Sequence, residues 1–453
     1  MKIIVIGGGI AGLSAAWELS NRADVTVLEA SATLGGKLTS ANLETSFGVS
    51  IVDGGAESFV TRKAAAYGLL LELGLEDQIL EPEADTSGVY LLRDGHEIQP
   101  VPTSPLALLR SSLLSWRGKL RLLREPFTRA AAPSGDESLH DFLERRVGAE
   151  AARVFGPVMA GIYSSDPRRT SVLASFGILR ELERDHGSLV RGMLSRRPKR
   201  GASRPPRAVT LRGGVGTLVD ALETQLLERN VKIQINAAVE RVQSGLVTLQ
   251  NGSRRSADAV ILALPAPSAA KLLELSALSC ATALRALPHA GIGTLALVFP
   301  INALEGLRHL RGVMIPRGAG REIDALLMTG FKMPERTPSA TGLLRVFFGA
   351  NNPGLMHLGD DALLAVVQRE LRELFGVTVA PLTHKTFRWH DFPSLEIGHL
   401  ERVSEIEALL PRGVYLAGAS YRGIGVPDCV RQGREAALRA LELQPRPLEI
   451  VSA

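Results

Sequence analysis

The sequence opens with KIIVIGGGIAG at residues 2–12, and this stretch decides the fold. Its first half is a short apolar run rich in β-branched side chains, which predicts a buried strand. Three glycines follow, and LSAAWELSNR at 13–22 then spaces its apolar residues along one face of a helix. DVTVLEA at 24–30 is a second strand-like run. These pieces predict a βαβ unit of about 30 residues, and hence a parallel α/β sheet.

The three glycines also match a ligand-binding pattern. Gly7, Gly9 and Gly12 fit G-x-G-x-x-G directly after a strand and before a helix. In that pattern Gly7 permits the tight turn, Gly9 lets the backbone reach a pyrophosphate, and Gly12 allows close helix packing. Glu29 follows 17 residues after Gly12, at the end of the second strand, where a carboxylate accepts hydrogen bonds from ribose hydroxyls. The chain is therefore predicted to bind a dinucleotide.

A second glycine-rich turn lies near the other end of the chain. GASYRGIGVPDCVRQGREAA at 418–437 reads as a turn that runs into a helix. Pro427 suits the first helical turn because its missing N–H is not needed there. Both turns present backbone N–H groups and the positive end of a helix dipole to a ligand. We therefore predict one long ligand that contacts both turns.

Two shorter glycine pairs indicate which dinucleotide is bound. GGK at 35–37 and DGGAESF at 53–59 continue the glycines beyond what a nicotinamide site needs. In several large flavoprotein families the same order forms an extended FAD site with a basic residue after the paired glycines, and this chain resembles them. The alternative is two surface turns. A pyridine-nucleotide reductase is disfavoured because GGVGTLV at 213–219 lacks the third glycine of a second dinucleotide motif.

Composition sets further limits. A chain of 453 residues, 45% hydrophobic and 22% charged, is typical of a globular enzyme of two or three domains. Arg285 and His289 interrupt the best candidate for a membrane-spanning run, 281–304. The first residues read as a strand and turn rather than a signal peptide, so we expect a cytoplasmic protein. Cys280 and Cys429 are the only cysteines, and no HExxH pair occurs, so neither a disulfide framework nor a metal site is expected.

Basic residues are spread unevenly. Within 106–132 one acid, Glu125, accompanies six cations: Arg110, Arg117, Lys119, Arg121, Arg124 and Arg129. They alternate with apolar side chains, namely Leu106, Leu108, Leu109, Leu113, Leu114 and Trp116. This pattern predicts peripheral contact with an anionic membrane surface, and the alternative is an internal helix with an exposed basic face. Residues 195–207 are rich in cations and proline and predict a mobile loop. No nucleic-acid-reading motif accompanies these cations, so nucleic-acid binding is not expected.

Several stretches taken together resemble one family. The chain is similar, in order, to the successive signatures of the oxygen-dependent porphyrinogen oxidases of haem synthesis in DGGAESFVTRK (53–63), GPVMAGIYSSDPRRTSV (156–172), LRGGVGTLVDALE (211–223), FRWHDFPSLEIGHLERV (387–403) and GASYRGIGVPDC (418–429). That family contains protoporphyrinogen and coproporphyrinogen III oxidases. Leu395 departs from the pattern, because family members often have tyrosine there.

The resemblance implies an α/β fold with three parts. A discontinuous Rossmann-like FAD-binding domain is expected from residues 1–85, 208–285 and 404–453. A mixed β-sheet substrate-binding domain is expected from 86–105 and 286–403. Residues 106–207 are expected to form a helical subdomain that faces the membrane.

The resemblance also implies the site residues. Those expected on FAD are Gly7, Gly9, Ile10, Ala11, Gly12, Glu29, Ala30, Gly36, Lys37, Gly54, Gly55, Ala56, Glu57, Val239, Trp389, Gly418, Ile424, Gly425 and Val426. Those expected to line the substrate cavity are Gly161, Arg311, Met314 and Lys332. The alternative for Gly161 is a structural helix or turn glycine. The alternative for the two cations is a solvated surface position.

The implied reaction is the six-electron oxidation of coproporphyrinogen III to coproporphyrin III with O2 as acceptor. No side chain is assigned as catalytic, because hydride departure to a flavin needs mainly orientation in a dry cavity. Coproporphyrinogen is preferred over protoporphyrinogen IX because the last motif contains Pro427-Asp428-Cys429, where protoporphyrinogen-type members tend to read N-D-C. Arg311 and Lys332 are also expected to pair with the extra propionates. A downstream ferrochelatase is a candidate partner.

Three rival functions stay open. A flavin amine oxidase shares the nucleotide motifs but has a different C-terminal signature. A carotenoid-type desaturase would need an apolar tunnel without carboxylate partners. A non-catalytic FAD-binding chaperone or sensor would hold a flavin that no porphyrinogen reduces.

Overall fold

The fold is taken from a computed structural model, which describes residues 1–82, 88–102, 105–130, 135–161, 165–195 and 208–443, with only the backbone of 105, 106 and 109. Its strands are β1 (Lys2–Ile6), β2 (Asp24–Leu28), β3 (Ser40–Thr45), β4 (Gly48–Asp53), β5 (Phe59–Val60), β6 (Ile79–Leu80), β7 (Val89–Arg93), β8 (Glu97–Pro100), β9 (Ala208–Leu211), β10 (Lys232–Gln234), β11 (Val239–Gln243), β12 (Leu246–Leu249), β13 (Arg254–Ser256), β14 (Ala259–Leu262), β15 (His289–Pro300), β16 (Gly312–Met314), β17 (Ile323–Leu327), β18 (Thr341–Phe348), β19 (Thr383–Pro393) and β20 (Val414–Leu416).

The α-helices are α1 (Ile10–Leu19), α2 (Ala64–Glu72), α3 (Pro105–Arg110), α4 (Trp116–Leu123), α5 (Leu139–Val147), α6 (Ala149–Gly161), α7 (Val172–His186), α8 (Leu189–Ser195), α9 (Gly216–Glu228), α10 (Ala266–Leu273), α11 (Leu278–Arg285), α12 (Thr329–Lys332), α13 (Asp360–Phe375), α14 (His399–Ala408) and α15 (Val426–Leu441). Short 3-10 helices span Glu76–Gln78, Glu125–Phe127, Ile301–Leu307, Pro334–Arg336 and Pro353–His357.

A five-stranded sheet carries both ends of the chain. Its strand order is β10-β2-β1-β14-β20, and every neighbouring pair is parallel. In β1, Val5 pairs with Val27 of β2 on one side and with Ile261 of β14 on the other. The α/β class predicted from the sequence is confirmed, as are the two strands expected in the first 30 residues, at 2–6 and 24–28.

Both faces of this parallel sheet are covered. Ile3 and Val5 point to an apolar cluster shared with α1, α9 and α15. Ile4 and Ile6 point to the opposite cluster, shared with α10, α11, α14 and the β11–β12–β13 sheet. A sheet buried on both faces needs apolar residues at every position, because neither side reaches water. This is why KIIVI and AVIL read as continuous apolar runs.

The second large sheet has seven strands. Its order is β19-β15-β18-β17-β16-β7-β8, antiparallel except for the β16–β7 pair. Leu295 and Leu297 of β15 face α13, whereas Ala296 and Val298 face the β3–β4 hairpin. At the other end, Leu91 of β7 packs against the helices α5, α6 and α7.

The helical region has its own buried charge network. Arg146 of α5 is fully buried, and its guanidinium donates to the carboxylates of Glu125 and Glu183. Glu125 also accepts from the Ser188 hydroxyl at 2.6 Å and the Leu189 N–H at 2.8 Å. Burial of charge costs free energy unless every group is paired, and here the pairing ties the segment after α4 to the start of α8.

Each of the two large sheets is built from the chain segments that the sequence analysis assigned to one domain. The five-stranded sheet uses strands from 1–85, 208–285 and 404–453, and the seven-stranded sheet uses strands from 86–105 and 286–403. The expected boundary at 404 falls inside α14, whose Val403 and Ile406 pack on the parallel-sheet side. The division into three domains itself stays a prediction. The loop expected at 195–207 lies almost wholly outside the described residues.

Candidate active site

The first glycine turn is closed by its own backbone. Gly7 has φ +105°, a conformation that favours glycine, and a Cβ on Gly12 would lie 2.0 Å from the Gly7 carbonyl oxygen. Helix α1 therefore starts in direct contact with the turn. The Gly8 N–H donates to Glu29 Oε2 at 2.7 Å. Gly9 differs, because the nearest atom to a Cβ there is 3.9 Å away, which leaves space in front of its backbone.

Glu29 stands at the end of β2 and joins several segments. Its Oε1 accepts from the Ser31 N–H at 2.8 Å, and its carbonyl oxygen accepts from the Ala237 N–H at 2.8 Å. The second contact brings Val239, at the start of β11, to the same end of the sheet as the glycine turn. Glu29, Ala30 and Val239, all three expected on FAD, thus lie at one end of the sheet.

The paired glycines after β2 lie beside the first turn. Gly35 forms an isolated bridge with Gly9, and its N–H donates to the Gly8 carbonyl at 2.8 Å. A Cβ on Gly36 would have only the Gly9 Cα within 4 Å, at 3.6 Å. A Cβ on Gly55 would lie 2.3 Å from the Lys37 carbonyl oxygen, so the 53–57 segment packs on the 35–37 segment. Burial lowers the pKa of Lys37.

The second glycine turn is held by side chains. Gly418 has φ +127° and no atom within 4 Å of the position of a Cβ. Tyr421 donates its hydroxyl to the Leu264 carbonyl at 3.0 Å, and Nε2 of His399 lies 2.7 Å from the Tyr421 carbonyl oxygen. The turn then enters α15, with Gly425 as N-cap and a proline in the first turn, as the sequence predicts.

Helix packing brings the two turns together. Gly433 of α15 lies against α1, and a Cβ on it would be 2.1 Å from the Ala11 carbonyl oxygen. Gly433 is seven residues from the first residue of α15, which is about two helical turns or 10 Å. The starts of α1 and α15 are therefore close enough for one elongated ligand to contact both.

These features fit an elongated dinucleotide. Gly9, Gly36 and Gly418 form a cradle in which added Cβ atoms would occupy open space rather than protein. Backbone N–H groups at the starts of α1 and α15 are suited to phosphate and to electron-rich carbonyl groups. Trp389 lies parallel to Phe387, with ring centroids 6.1 Å apart, and Phe387 packs on Gly54.

Nearly the whole chain matches the model of one protein family. The model for flavin containing amine oxidoreductases matches residues 10–441. The chain belongs to this family. It is an FAD-dependent oxidoreductase.

Individual relatives are similar over their full length. The chain is 30% identical to the coproporphyrinogen III oxidase of Bacillus subtilis over 97% of each protein. It is 32% identical to the coproporphyrinogen III oxidase of Propionibacterium freudenreichii over 96% of this chain and 90% of the relative. A crystal structure from Exiguobacterium sp. 255-15, assigned as a protoporphyrinogen oxidase, is 26% identical with a TM-score of 0.81, covering 97% of this chain and 98% of its own.

In this flavoprotein two of the expected substrate residues meet. Gly161 ends α6 and Met314 ends β16, and a Cβ on Gly161 would lie 2.1 Å from the Met314 ε-methyl. The sequence predicted both as cavity-lining residues without predicting that they touch. Residues 162–164, which follow Gly161, lie outside the described part of the chain.

The two expected substrate cations are engaged within the protein. Arg311 is half-buried, and its Nη1 donates to the Phe331 carbonyl oxygen at 3.3 Å. The Lys332 ammonium lies 2.8 Å from Glu57 Oε1. The contact of Lys332 with substrate stays a prediction, and the structure adds that its charge compensates a buried carboxylate.

The side chain of Glu57, a residue expected to contact FAD, is held in the same cluster. Its carboxylate is almost fully buried and also accepts from the Thr329 hydroxyl at 2.7 Å and from Arg345 at 3.0 Å. Burial acts to raise the pKa of Glu57, but Lys332 and Arg345 outweigh it and lower the pKa to about 2. This cluster joins the 53–57 segment to the seven-stranded sheet.

An ion pair and a cleft beside the second turn were not predicted. Lys63 Nζ lies 2.6 Å from Oδ2 of Asp428, in the first turn of α15. The pair borders a cleft of about 530 Å³ whose walls also carry Arg62, Arg422 and Arg431, facing apolar residues of α7. Lys63 ends DGGAESFVTRK and Asp428 lies in GVPDC, so two signatures far apart in sequence meet here.

Asp53 is a further residue whose role sequence reasoning missed. Its Oδ1 accepts from the Val215 N–H at 2.8 Å and the Ser40 hydroxyl at 2.6 Å, and its Oδ2 accepts from the buried Arg336. A Cβ on Gly214 would lie 2.3 Å from Ser40 Oγ. The glycines of LRGGVG therefore serve close packing onto the 40–53 hairpin, and their spacing alone could not distinguish this from ligand binding.

Proposed function

We propose that the chain oxidises coproporphyrinogen III to coproporphyrin III with O2 as the final acceptor. The observation that carries this proposal is the similarity, over nearly the whole chain, to two relatives named coproporphyrinogen III oxidase. Arg62 on the wall of the cleft beside the start of α15 supports it, because a substrate with four propionates needs cationic partners, whereas Lys63, Arg422 and Arg431 there already pair with carboxylates. The FAD contacts expected from the sequence remain part of the proposal.

FAD, when bound, would supply a two-electron acceptor, so removal of the six electrons would take three oxidation rounds. The protein's part is to orient the macrocycle and to exclude water. The start of α15 contributes a positive potential, which favours negative charge on the group bound there. Asp428 in the first turn would weaken that potential, and Lys63 at 2.6 Å offsets its charge.

We propose that FAD is held without a covalent bond. Burial raises the pKa of Cys429, the cysteine in the C-terminal signature, to about 12. Its thiol is therefore neutral at physiological pH and a poor nucleophile. Denaturation by heat should release intact FAD into solution, and flavin that stays with the precipitated protein would contradict a non-covalent site.

Coproporphyrinogen III and protoporphyrinogen IX are the two substrates to separate. They differ by two carboxylates, so replacement of a cation that binds an extra propionate should raise KM for coproporphyrinogen alone. We expect this for Arg62→Met, whose guanidinium borders the cleft, and for Arg311→Met. Arg434→Met is the matched control, because Arg434 lies on the same helix as Arg431 but pairs with Glu72. Equal KM changes for both substrates, or a wild-type preference for protoporphyrinogen, would contradict the assignment.

Lys332→Met has a different expected outcome. Because Lys332 neutralises buried Glu57, its removal leaves a carboxylate with one cation fewer. We expect lower thermal stability with little change in the ratio of KM values for the two porphyrinogens. A selective rise in KM for coproporphyrinogen would show that Lys332 also reaches the substrate.

An amine oxidase activity is the second candidate, because the matching family model carries that name. Hydrogen peroxide production with simple amines, in the absence of any porphyrinogen, would favour it. We propose no amine substrate.

We propose a cytoplasmic protein that touches the membrane from one side. No helix in the described part of the chain is long and apolar enough to cross a bilayer. Trp116 and Phe127 are 78% and 82% exposed, and Leu120 and Leu123 are exposed between them. Not all of the apolar residues that the sequence predicted for membrane contact belong to this exposed patch, since Leu114 is buried and Leu108 and Leu113 pack on the helical core.

Cations accompany this exposed patch. Lys119 Nζ lies 5.6 Å from the Trp116 ring centroid, and the Arg191 guanidinium lies 5.8 Å from that of Phe127. Exposed aromatic rings flanked by cations suit the headgroup region of an anionic bilayer. The protein should sediment with anionic vesicles at low salt, and a Trp116→Ser, Phe127→Ser variant should not. Failure of the wild type to sediment would contradict membrane contact. The exposed patch would then be proposed to bind ferrochelatase, which co-sedimentation with that enzyme would test.

A further inference from the structure

A second cleft is lined by none of the residues expected to bind FAD or substrate. It has a volume of about 860 Å³ and opens between the β7–β8 hairpin, the first half of α6 and the loop after β16. Small-molecule sites in proteins typically measure roughly 300–1,000 Å³. The cleft is therefore large enough for a macrocyclic ligand or a substantial part of one.

The floor of this cleft is apolar and adjoins two residues expected to line the substrate cavity. Leu91 and Val154 line the cleft and belong to the apolar cluster on which Met314 packs. Leu91 pairs in register with Met314 across the β7–β16 ladder. Val154 precedes Gly161 on α6 by seven residues, about 10 Å along the helix. The cleft and the Gly161–Met314 contact thus share two walls.

The rim of the cleft is cationic. Arg93, Arg153 and Arg317 come from three separate elements. Two carboxylates are nearby, but Asp94 pairs with Arg93 at 3.3 Å, and Glu150 binds the N–H and hydroxyl of Ser115 at 2.8 and 2.6 Å. Within the described residues, no carboxylate oxygen lies within 4 Å of the Arg153 guanidinium. Three guanidinium groups against two carboxylates leave the rim with a formal net charge of +1 for a ligand.

We propose that this cleft is a second binding site for the aromatic product of the proposed reaction, a flat macrocycle that carries carboxylates. The apolar floor suits the ring, and planar guanidinium groups suit its propionates. Ser115, on the wall, directly precedes exposed Trp116, so the product would stand next to the surface patch through which it could leave. The inference rests on the proposed function, because that function supplies the ligand.

The test is a titration of the FAD-loaded full chain with coproporphyrin III at low salt, followed by porphyrin fluorescence. We expect two equivalents bound by the wild type and one by Ser112→Trp, because Ser112 is exposed on the wall and an indole there would block part of the space that the macrocycle needs. Arg153→Met should weaken the second equivalent by up to about fivefold, the upper end of the range for an exposed ion pair. Arg184→Met, an exposed residue of α7 paired with Asp185, is the matched control and should bind like the wild type.

The outcomes separate this site from the proposed reaction. A single equivalent for the wild type, or equal binding by all four proteins, would overturn the second site even if the enzyme oxidises coproporphyrinogen III. A second equivalent that depends on Arg153 and Ser112, in a protein that oxidises no porphyrinogen, would support the site and refute the proposed function.

Discussion

The two glycine turns achieve the same shape by different means. In the first turn, backbone contacts leave no room for a side chain at Gly12, where a Cβ would lie 2.0 Å from the Gly7 oxygen. In the second turn, Gly418 faces open space, and the shape is maintained by Tyr421, His399 and the Lys63–Asp428 pair. The first turn is thus fixed by the fold, whereas the second depends on side chains that can be changed singly. At the first turn, one mutation should prevent folding and another should reduce cofactor binding alone. At the second turn, single mutations should change cofactor affinity by smaller amounts.

The largest effect is expected at Gly12. Gly12→Ala places a methyl group against a backbone oxygen that cannot move without breaking the β1–α1 turn. Overpacking of this kind costs about 1–3 kcal/mol or more, and the short contact places it at the upper end. We expect little folded protein, measured by circular dichroism and soluble yield.

Gly9→Ala is the matched variant for Gly12→Ala. The nearest protein atom to its Cβ is 3.9 Å away, so the fold should persist while the methyl group occupies space in the cradle. We expect wild-type circular dichroism and loss of most bound FAD. Full FAD content in Gly9→Ala would mean that the ligand does not approach the first turn as proposed.

Gly433→Ala tests the contact that joins the two turns. Its Cβ would lie 2.1 Å from the Ala11 oxygen, so α15 must shift away from α1, at a cost of about 2–3 kcal/mol. We expect a lower melting temperature and weaker FAD binding. Gly68→Ala in α2 is the control, since nothing lies within 4 Å of its Cβ and the change should stabilise that helix by about 0.5–1 kcal/mol. If both variants melt together, α1 and α15 are not in close contact.

The contrast between the turns also shows what the sequence could predict. The first turn, its strands and its helix were predicted correctly, because local spacing and backbone sterics determine them. Gly433 could not be recognised, because a lone glycine in a helix carries no sign of which backbone it meets. Lys63–Asp428 and Lys332–Glu57 join residues 365 and 275 positions apart, and only the tertiary structure brings such charges together. The pairing of Lys332 with Glu57 could therefore not be predicted from the sequence.

The pH dependence of the second turn is the next effect in size. Burial lowers the pKa of His399 to about 4, and in the described structure Nδ1 has no partner while Nε2 lies against the Tyr421 oxygen. The pKa of His399 in the folded protein lies below its value of about 6.5 in the unfolded chain, so the unfolded chain takes up the proton first. The contribution of His399 to the free energy of unfolding is therefore complete above pH 6.5 and is lost as the pH falls towards 4. Between pH 7.5 and 5 we expect a loss of about 2 kcal/mol.

Urea unfolding at several pH values measures this loss, and His399→Gln is the matched variant because its amide can donate to the same oxygen without titrating. The variant should have a flatter stability profile over pH 5 to 7.5. An identical slope in both proteins would place the acid sensitivity elsewhere.

The smallest effect is expected at the Lys63–Asp428 pair. Lys63 is about half exposed, so the interaction is worth about 1 kcal/mol, measured as the coupling energy of a Lys63→Met, Asp428→Asn double-mutant cycle. The coupling should appear in FAD affinity as well as in stability, because the pair borders the start of α15. The Arg431–Glu435 pair on the same helix is exposed on both sides and should show weaker coupling. Equal coupling energies in the two pairs would contradict the claim that Lys63–Asp428 contributes more than an ordinary surface ion pair.

The central claim is that both turns bind one FAD, which a porphyrinogen reduces. The most direct measurement is an anaerobic titration of the FAD-loaded protein with coproporphyrinogen III, recording flavin absorbance and porphyrin fluorescence together. Because six electrons leave each substrate, we predict that three flavins are bleached for every coproporphyrin formed, and that admission of O2 restores the flavin absorbance. A flavin that stays oxidised, or one that only an amine can bleach, would contradict the account.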